Sequence, residues 1–254
     1  DSSVLDDLHS TRVRQLNHDL GYNSFCRHGA LRSRAYSRHC LLGQLPLPKK
    51  IDYKVSWQKE LREAYKSIEE LSAFLNYPIA VTPFPILIPR PLAQKIKLAG
   101  PDSALWKQFV PDLFENDPQG MADPIGDRPH QRAPRVIHRY TNRALLLVTN
   151  TCPVHCRYCF RQNELSPDDV LFNGKGDASL QYLRENPQIE EVILSGGDPL
   201  ILSNSKLDQI FTQLANIDSI RYLRFHSRMP VIIPGRVDGE FSELIKKGSR
   251  HFPQ

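Results

Sequence analysis

Residues 144–148 read Ala-Leu-Leu-Leu-Val, and after three more residues comes Cys152-Pro-Val-His-Cys156-Arg-Tyr-Cys159. An apolar run of that length without a polar break reads as a strand buried on both faces. Asn150 and Thr151 end it. The cysteines therefore stand on a loop at the carboxyl end of a strand, where α/β folds place their chemistry. Three thiolates on one loop can hold three corners of an iron–sulfur cube and leave the fourth iron open to a small molecule. Two other readings compete. One is a Cys3His zinc site completed by His155. Neighbouring side chains in an extended loop diverge, which places His155 badly beside Cys156. The other is a disulfide with a spare thiol. The five cysteines are an odd number, and no apolar leader opens the sequence, which speaks against it.

From Arg143 onward, strand and helix patterns alternate. Strands are predicted at 144–148, 191–194 and 222–225, and helices at 178–185, 205–214 and 240–247. A further extended piece is predicted at 231–233. Three βα units argue for a parallel sheet with right-handed crossovers. Upstream, Trp57 to Asn76 has apolar residues at helical spacing and reads as one amphipathic helix, with Ser56 as its N-cap. Five prolines between Pro78 and Pro91 forbid a long helix there. Short helices are expected from Pro91 to about Leu98 and over 103–110. The stretch 114–134 is rich in Asp, Pro and Gly and reads as a loop over the site or a connector.

Composition sets bounds. The chain has 254 residues, 40% of them hydrophobic and 24% charged, ordinary for a globular protein. No apolar run approaches the roughly 20 residues that span a bilayer. The net charge of +5 suits anionic ligands as well as nucleic acid. Six arginines between Arg12 and Arg38 make residues 1–50 basic, and a nucleic-acid-binding arm is one reading of them. Aromatic residues are sparse and no recognition motif is present, so a solvated extension is expected. Cys26 and Cys40 match no common zinc spacing.

The motif Cys-x3-Cys-x2-Cys resembles that of the radical S-adenosylmethionine (SAM) enzymes. Its neighbours narrow the likeness: His138-Arg-Tyr-Thr-Asn-Arg143 before the strand, Cys159-Phe-Arg161 closing the loop, Ser195-Gly-Gly-Asp-Pro-Leu200 after the second strand, and Ser227-Arg-Met-Pro-Val231 after the third. In this order the motifs resemble the lysine 2,3-aminomutase family, including the branch that acts on lysine for modification of elongation factor P. The likeness covers roughly residues 57 to 254.

The resemblance implies an α/β fold: a partial parallel (β/α) radical SAM barrel with an amino-terminal helical extension. The expected division is 1–56 as a basic extension, 57–134 as a helical and Pro-rich region with a connector, and 135–254 as the first half of the barrel. Three βα units against the six of the family predict a fragment, a truncated gene or a chain completed by another copy. By the same likeness, Cys152, Cys156 and Cys159 ligate a [4Fe-4S] cluster. Gly196, Gly197, Asp198, Ser227 and Arg228 would hold SAM, with Asp198 meeting its ammonium and Arg228 its carboxylate. Arg139, Tyr140, Arg143 and Arg161 would hold pyridoxal phosphate (PLP), since a dianionic phosphate favours forked guanidinium donors. The family's PLP lysine has no counterpart here. The implied function is an isomerase that shifts the 2-amino group of lysine to carbon 3 by a 5′-deoxyadenosyl radical. Its partners would be an amino acid or the elongation factor P lysine, an electron donor such as flavodoxin or ferredoxin, and a second copy of the chain. A reducing cytoplasm suits the free thiols. A radical SAM enzyme without PLP, an inactive fragment and a nucleic-acid-binding module are the alternatives.

Overall fold

The computed structural model describes residues 56–163, 170–172 and 176–252. The expectations for residues 1–50, including the nucleic-acid arm and Cys26 and Cys40, lie outside the described residues.

A five-stranded sheet carries the site. In chain order its strands are β1 Gln131–Ala133, β2 Val136–Tyr140, β3 Arg143–Thr149, β4 Glu191–Gly196 and β5 Tyr222–Phe225. Their spatial order is the same as their sequence order. β3, β4 and β5 run parallel, whereas β1 and β2 are antiparallel to their neighbours. The parallel core was legible in the sequence. The two antiparallel strands correct the expectation of a purely parallel sheet and of a loop running to residue 134. Val136 and Ile137 are buried, and the polar turn Thr141–Asn142 lets the chain double back onto β3.

β4 lies between two strands, and every residue of it except Gly196 is buried. Side chains alternate across a strand, so the register decides what each face receives. Leu146, Val192 and Leu194 face the helices α5 Gly176–Glu185, α6 Asn204–Ala215 and α8 Gly239–Ser249. They join Leu183, Leu207 and Leu214 in the main core. Ile137, Leu145, Ile193 and Ser195 line a cavity at the sheet's other face. Leu194 is fully buried. Leu194→Ala is expected to cost about 3 kcal/mol through lost contacts and the void left behind, read as a lower midpoint in urea unfolding.

Among the described residues four short α-helices precede the sheet: α1 Trp57–Arg62, α2 Ile68–Leu75, α3 Arg90–Ala99 and α4 Ala104–Phe109. Ser56 caps α1 as expected. The single helix predicted over 57–76 is instead two. Ser67 caps a new start at Ile68, and between the helices Tyr65 pairs with Ile88 through both backbone groups, at 2.9 and 3.0 Å. A second correction is at 231–233. It belongs to the helical turn α7 Met229–Ile232, because the Asp198 carboxylate accepts the backbone N–H groups of Arg228 and Met229 and so caps the turn.

Candidate functional site

The loop after β3 carries all three motif cysteines, each partly exposed and none in a disulfide. They line one end of a cavity of about 640 Å³ together with Gly196, Gly197 and Arg228. Burial, and then the negative charges of Cys159, Asp198 and Cys156, push the Cys152 thiol far above its ordinary range. The sulfurs are thus near enough to repel one another as thiolates, a cost that a bound cationic iron would relieve. Among the described residues no three His, Cys, Asp or Glu converge as tightly as a single metal ion requires. His155, the fourth ligand of the zinc reading, is not among the residues lining the cavity that the three cysteines share. The His155 ring sits 3.1 Å from the Pro85 carbonyl through Nδ1, and its backbone N–H donates to Leu87 O at 3.0 Å. The donor set fits a thiolate-held iron–sulfur cluster, whose ligating sulfurs stand wider apart than those around one zinc.

The glycine turn after β4 locks onto the cysteine loop. Gly197 N–H donates to Thr149 O at 2.7 Å, and Asp198 N–H donates to Thr151 O at 2.8 Å. A Cβ on Gly196 would lie 2.2 Å from Thr149 O, and one on Gly197 would lie 2.1 Å from Thr151 O. Gly196 also has φ +115°, which disfavours any side chain. The glycines are therefore required by the approach of the 149–151 backbone.

Asp198 is buried, and both carboxylate oxygens have protein partners. Oδ1 accepts from Ser227 Oγ at 2.7 Å and Leu200 N–H at 3.0 Å, while Oδ2 accepts from the N–H groups of Arg228 at 2.8 Å and Met229 at 3.0 Å. It ties the end of β4 to the end of β5. Arg228 lines the same cavity. Its guanidinium donates to Cys156 Sγ at 3.1 Å, to Gln108 Oε1 at 2.9 Å and to the Tyr158 hydroxyl.

The basic residues expected to act together fall into two groups on the same cavity. Tyr140 and Arg143 flank the turn before β3. Arg161 follows the cysteine loop after the strand's other end, and its Nη1 donates to Ser195 Oγ at 3.3 Å. The Arg143 guanidinium rests over the Tyr140 ring, 4.6 Å from its centroid. Its Nε is buried without a hydrogen-bond partner, which an incoming anion could supply. Arg161 is otherwise engaged. It donates through Nε and Nη2 to Asp127 Oδ2, at 2.9 and 2.7 Å. Arg139 donates to Ile125 O and Gly126 O at 2.6 and 2.8 Å, and its Nη2 lies 3.5 Å from the same aspartate. Arg143 and Tyr140 thus fit a phosphate-bearing group, whereas Arg139 and Arg161 have protein partners in hand. Lower in the cavity, Arg224 pairs with Glu191 at 2.6 Å. Burial first, then the Arg224 and Arg161 charges, hold the His226 imidazole below its ordinary range.

Asp127 was invisible as a site residue in the sequence, where it is one acid among several in a connector. The structure buries it to 2% exposure between two cavity arginines. Asp127→Ala is expected to leave Arg161 buried without a countercharge and to cost about 3–5 kcal/mol, read as a drop in urea midpoint that Arg161→Met in the same background largely recovers.

A parallel sheet with three thiols on the loop after its first parallel strand defines an iron–sulfur class of protein, and a family model for a 4Fe-4S single cluster domain matches residues 141–221. The L-lysine 2,3-aminomutase of Escherichia coli strain K12 is 34% identical over 204 residues, covering 76% of this chain and 59% of the relative. That of Haemophilus influenzae is 32% identical over 211 residues, covering 79% and 62%. That of Clostridium subterminale is 28% identical over 209 residues, covering 75% and 49%. Over about three quarters of its length the chain is thus similar to the lysine 2,3-aminomutases. It spans roughly half to three-fifths of the length of the curated relatives it matches.

Proposed function

We propose that the chain carries the radical-generating part of an amino acid 2,3-aminomutase whose substrate is lysine, free or in the elongation factor P pathway. The observation that carries this reading is one cavity lined both by the three motif cysteines, none of them in a disulfide, and by Arg143, whose buried Nε has no hydrogen-bond partner. When bound, the cluster and SAM would supply a carbon-centred radical that removes a substrate hydrogen, and PLP would carry the migrating amine.

The chain's own residues divide the work. Cys152, Cys156 and Cys159 hold the cluster. Gly196, Gly197 and Ser227 form the rim against which SAM lies, and Asp198 fixes that rim rather than the ligand. Arg143 and Tyr140 bind the PLP phosphate and ring. The walls Leu145, Ile137 and Ile193 keep water from the radical. The relatives' printed names and the order of the motifs support lysine as substrate. The test is anaerobic reconstitution with iron and sulfide, followed by SAM, PLP, dithionite and L-lysine. β-Lysine is the expected product, and SAM cleavage without rearranged lysine would refute the aminomutase assignment while leaving the radical SAM one standing.

One observation favours a second reading, a radical SAM enzyme without PLP. Arg139 and Arg161 are already bound by Asp127 and by backbone carbonyls. PLP absorbance retained after desalting, and lost in Arg143→Met, decides for the first reading. No retained absorbance decides for the second.

A further inference from the structure

We propose that Arg228 sets the one-electron potential of the iron–sulfur cluster by donating a charge-assisted hydrogen bond to the sulfur of Cys156, with Gln108 as the residue that positions it. The inference rests on the reading of the three thiols as cluster ligands.

The arginine is held on every side. Nη1 lies 3.1 Å from Cys156 Sγ and also donates to the Tyr158 hydroxyl, while Nη2 donates to Gln108 Oε1 at 2.9 Å. Its guanidinium carbon lies 5.3 Å from the centroid of the Phe109 ring and 5.3 Å from that of Tyr158. Its backbone N–H is anchored separately on Asp198 Oδ2 at 2.8 Å. The described side-chain partners are a thiol, a phenol and an amide, none of them a carboxylate, so the positive charge is not cancelled locally. Gln108 belongs to α4, outside the sheet, and its own amide nitrogen is fixed on Ala104 O at 3.1 Å. A residue 120 positions away in sequence therefore aims the guanidinium.

The three thiols are consequently not equivalent. Cys156 has a cation on its sulfur. Hydrogen bonds to ligating sulfurs and local charge are among the terms that set cluster potentials. Here both act in one direction. The oxidised cluster takes one electron from a low-potential reductant and gains one negative charge, with no proton moved. A donor that withdraws density from Cys156, and a positive charge beside it, stabilise the reduced form. Arg228 therefore raises the potential. Carrying its charge on a fork, it can grip sulfur and amide together, which an ammonium does less well.

The test is a redox titration of the reconstituted full chain without SAM, followed by electron paramagnetic resonance. Arg228→Met keeps the backbone link to Asp198. It is expected to lower the equilibrium constant for reduction about tenfold, a shift of about 59 mV to more negative potential for one electron. Gln108→Leu is expected to shift it the same way by about threefold, and Arg228→Lys to fall between wild type and Arg228→Met. An unchanged potential in Arg228→Met, with weakened SAM binding, would overturn the proposal and return Arg228 to the SAM carboxylate. If Arg228→Met assembles no cluster, Gln108→Leu carries the test, and an unchanged potential there overturns it equally. Failure of the wild type itself to take up iron would instead remove the cluster reading on which all of this stands.

Discussion

Alanine in place of Cys152, Cys156 or Cys159 is expected to cut the iron retained after anaerobic reconstitution at least tenfold, while the fold survives. The three residues lie on one loop, each only partly buried, and none belongs to the main hydrophobic core except through the margin of Cys156. Removing one thiol therefore leaves no large void. It does leave two sulfurs to hold a cube that already lacks a fourth protein ligand, and iron–sulfur clusters are held through their thiolates. Helical circular dichroism should match wild type in all three variants, and iron and sulfide content should fall together. His155→Ala is the contrast. Its Nδ1 meets the Pro85 carbonyl and the residue does not line the cysteines' cavity, so iron content should stay near wild type. A zinc site would show the reverse, with His155 required.

Gly197→Ala is expected to be nearly as damaging by a different route. The added Cβ would lie 2.1 Å from Thr151 O, 2.5 Å from Thr151 C and 2.7 Å from Thr151 N. All three are backbone atoms that have nowhere to yield. Relief requires the turn after β4 to separate from the cysteine loop, which breaks the bonds from Gly197 to Thr149 and from Asp198 to Thr151. Asp198 then shifts away from the N–H groups it caps. Losing several buried hydrogen bonds at once costs roughly 3 kcal/mol or more. The expected result is a clear fall in thermal midpoint together with loss of iron, although no ligand has been touched. Gly120→Ala is the control, because its Cβ would meet only Asp117 O at 3.4 Å. A surface change of that kind stays within about 0.5 kcal/mol.

How much of this was legible in the sequence follows from what each feature depends on. β3, β4 and β5 were readable because buried parallel strands write themselves as apolar runs. The cysteine loop was readable because its chemistry is local and its spacing is fixed. The hairpin partner β2 was not, since it ends in the polar run His138-Arg-Tyr, where His138 meets the Tyr182 hydroxyl and Arg139 and Tyr140 line the cavity. The break between α1 and α2 was hidden because Tyr65 and Ile68 keep helical spacing through it. The long-range partner Ile88 wins over local propensity there.

The same division runs through the site. Arg161, Asp198 and Arg228 all line the cavity, but motif position says nothing about which atom each side chain meets. Arg161 found Asp127, Asp198 found backbone N–H groups, and Arg228 found a thiol. Asp127 and Gln108 carry no motif at all. They are recognisable only after folding brings a connector and a helix from outside the sheet against the loop. Partner identity over such separations is a property of the packed chain, whereas residue type near a strand end is a property of the local sequence.

The central claim is that three thiolates at the mouth of this cavity hold a cluster with one iron left open for SAM. Electron paramagnetic resonance of the reconstituted, dithionite-reduced protein, recorded before and after adding SAM, tests it most directly. The account predicts about four irons per chain, a signal from the one-electron-reduced cluster, and a change in that signal when SAM reaches the open iron. A chain that takes up no iron, or one whose reduced cluster gives the same spectrum with and without SAM, would contradict it.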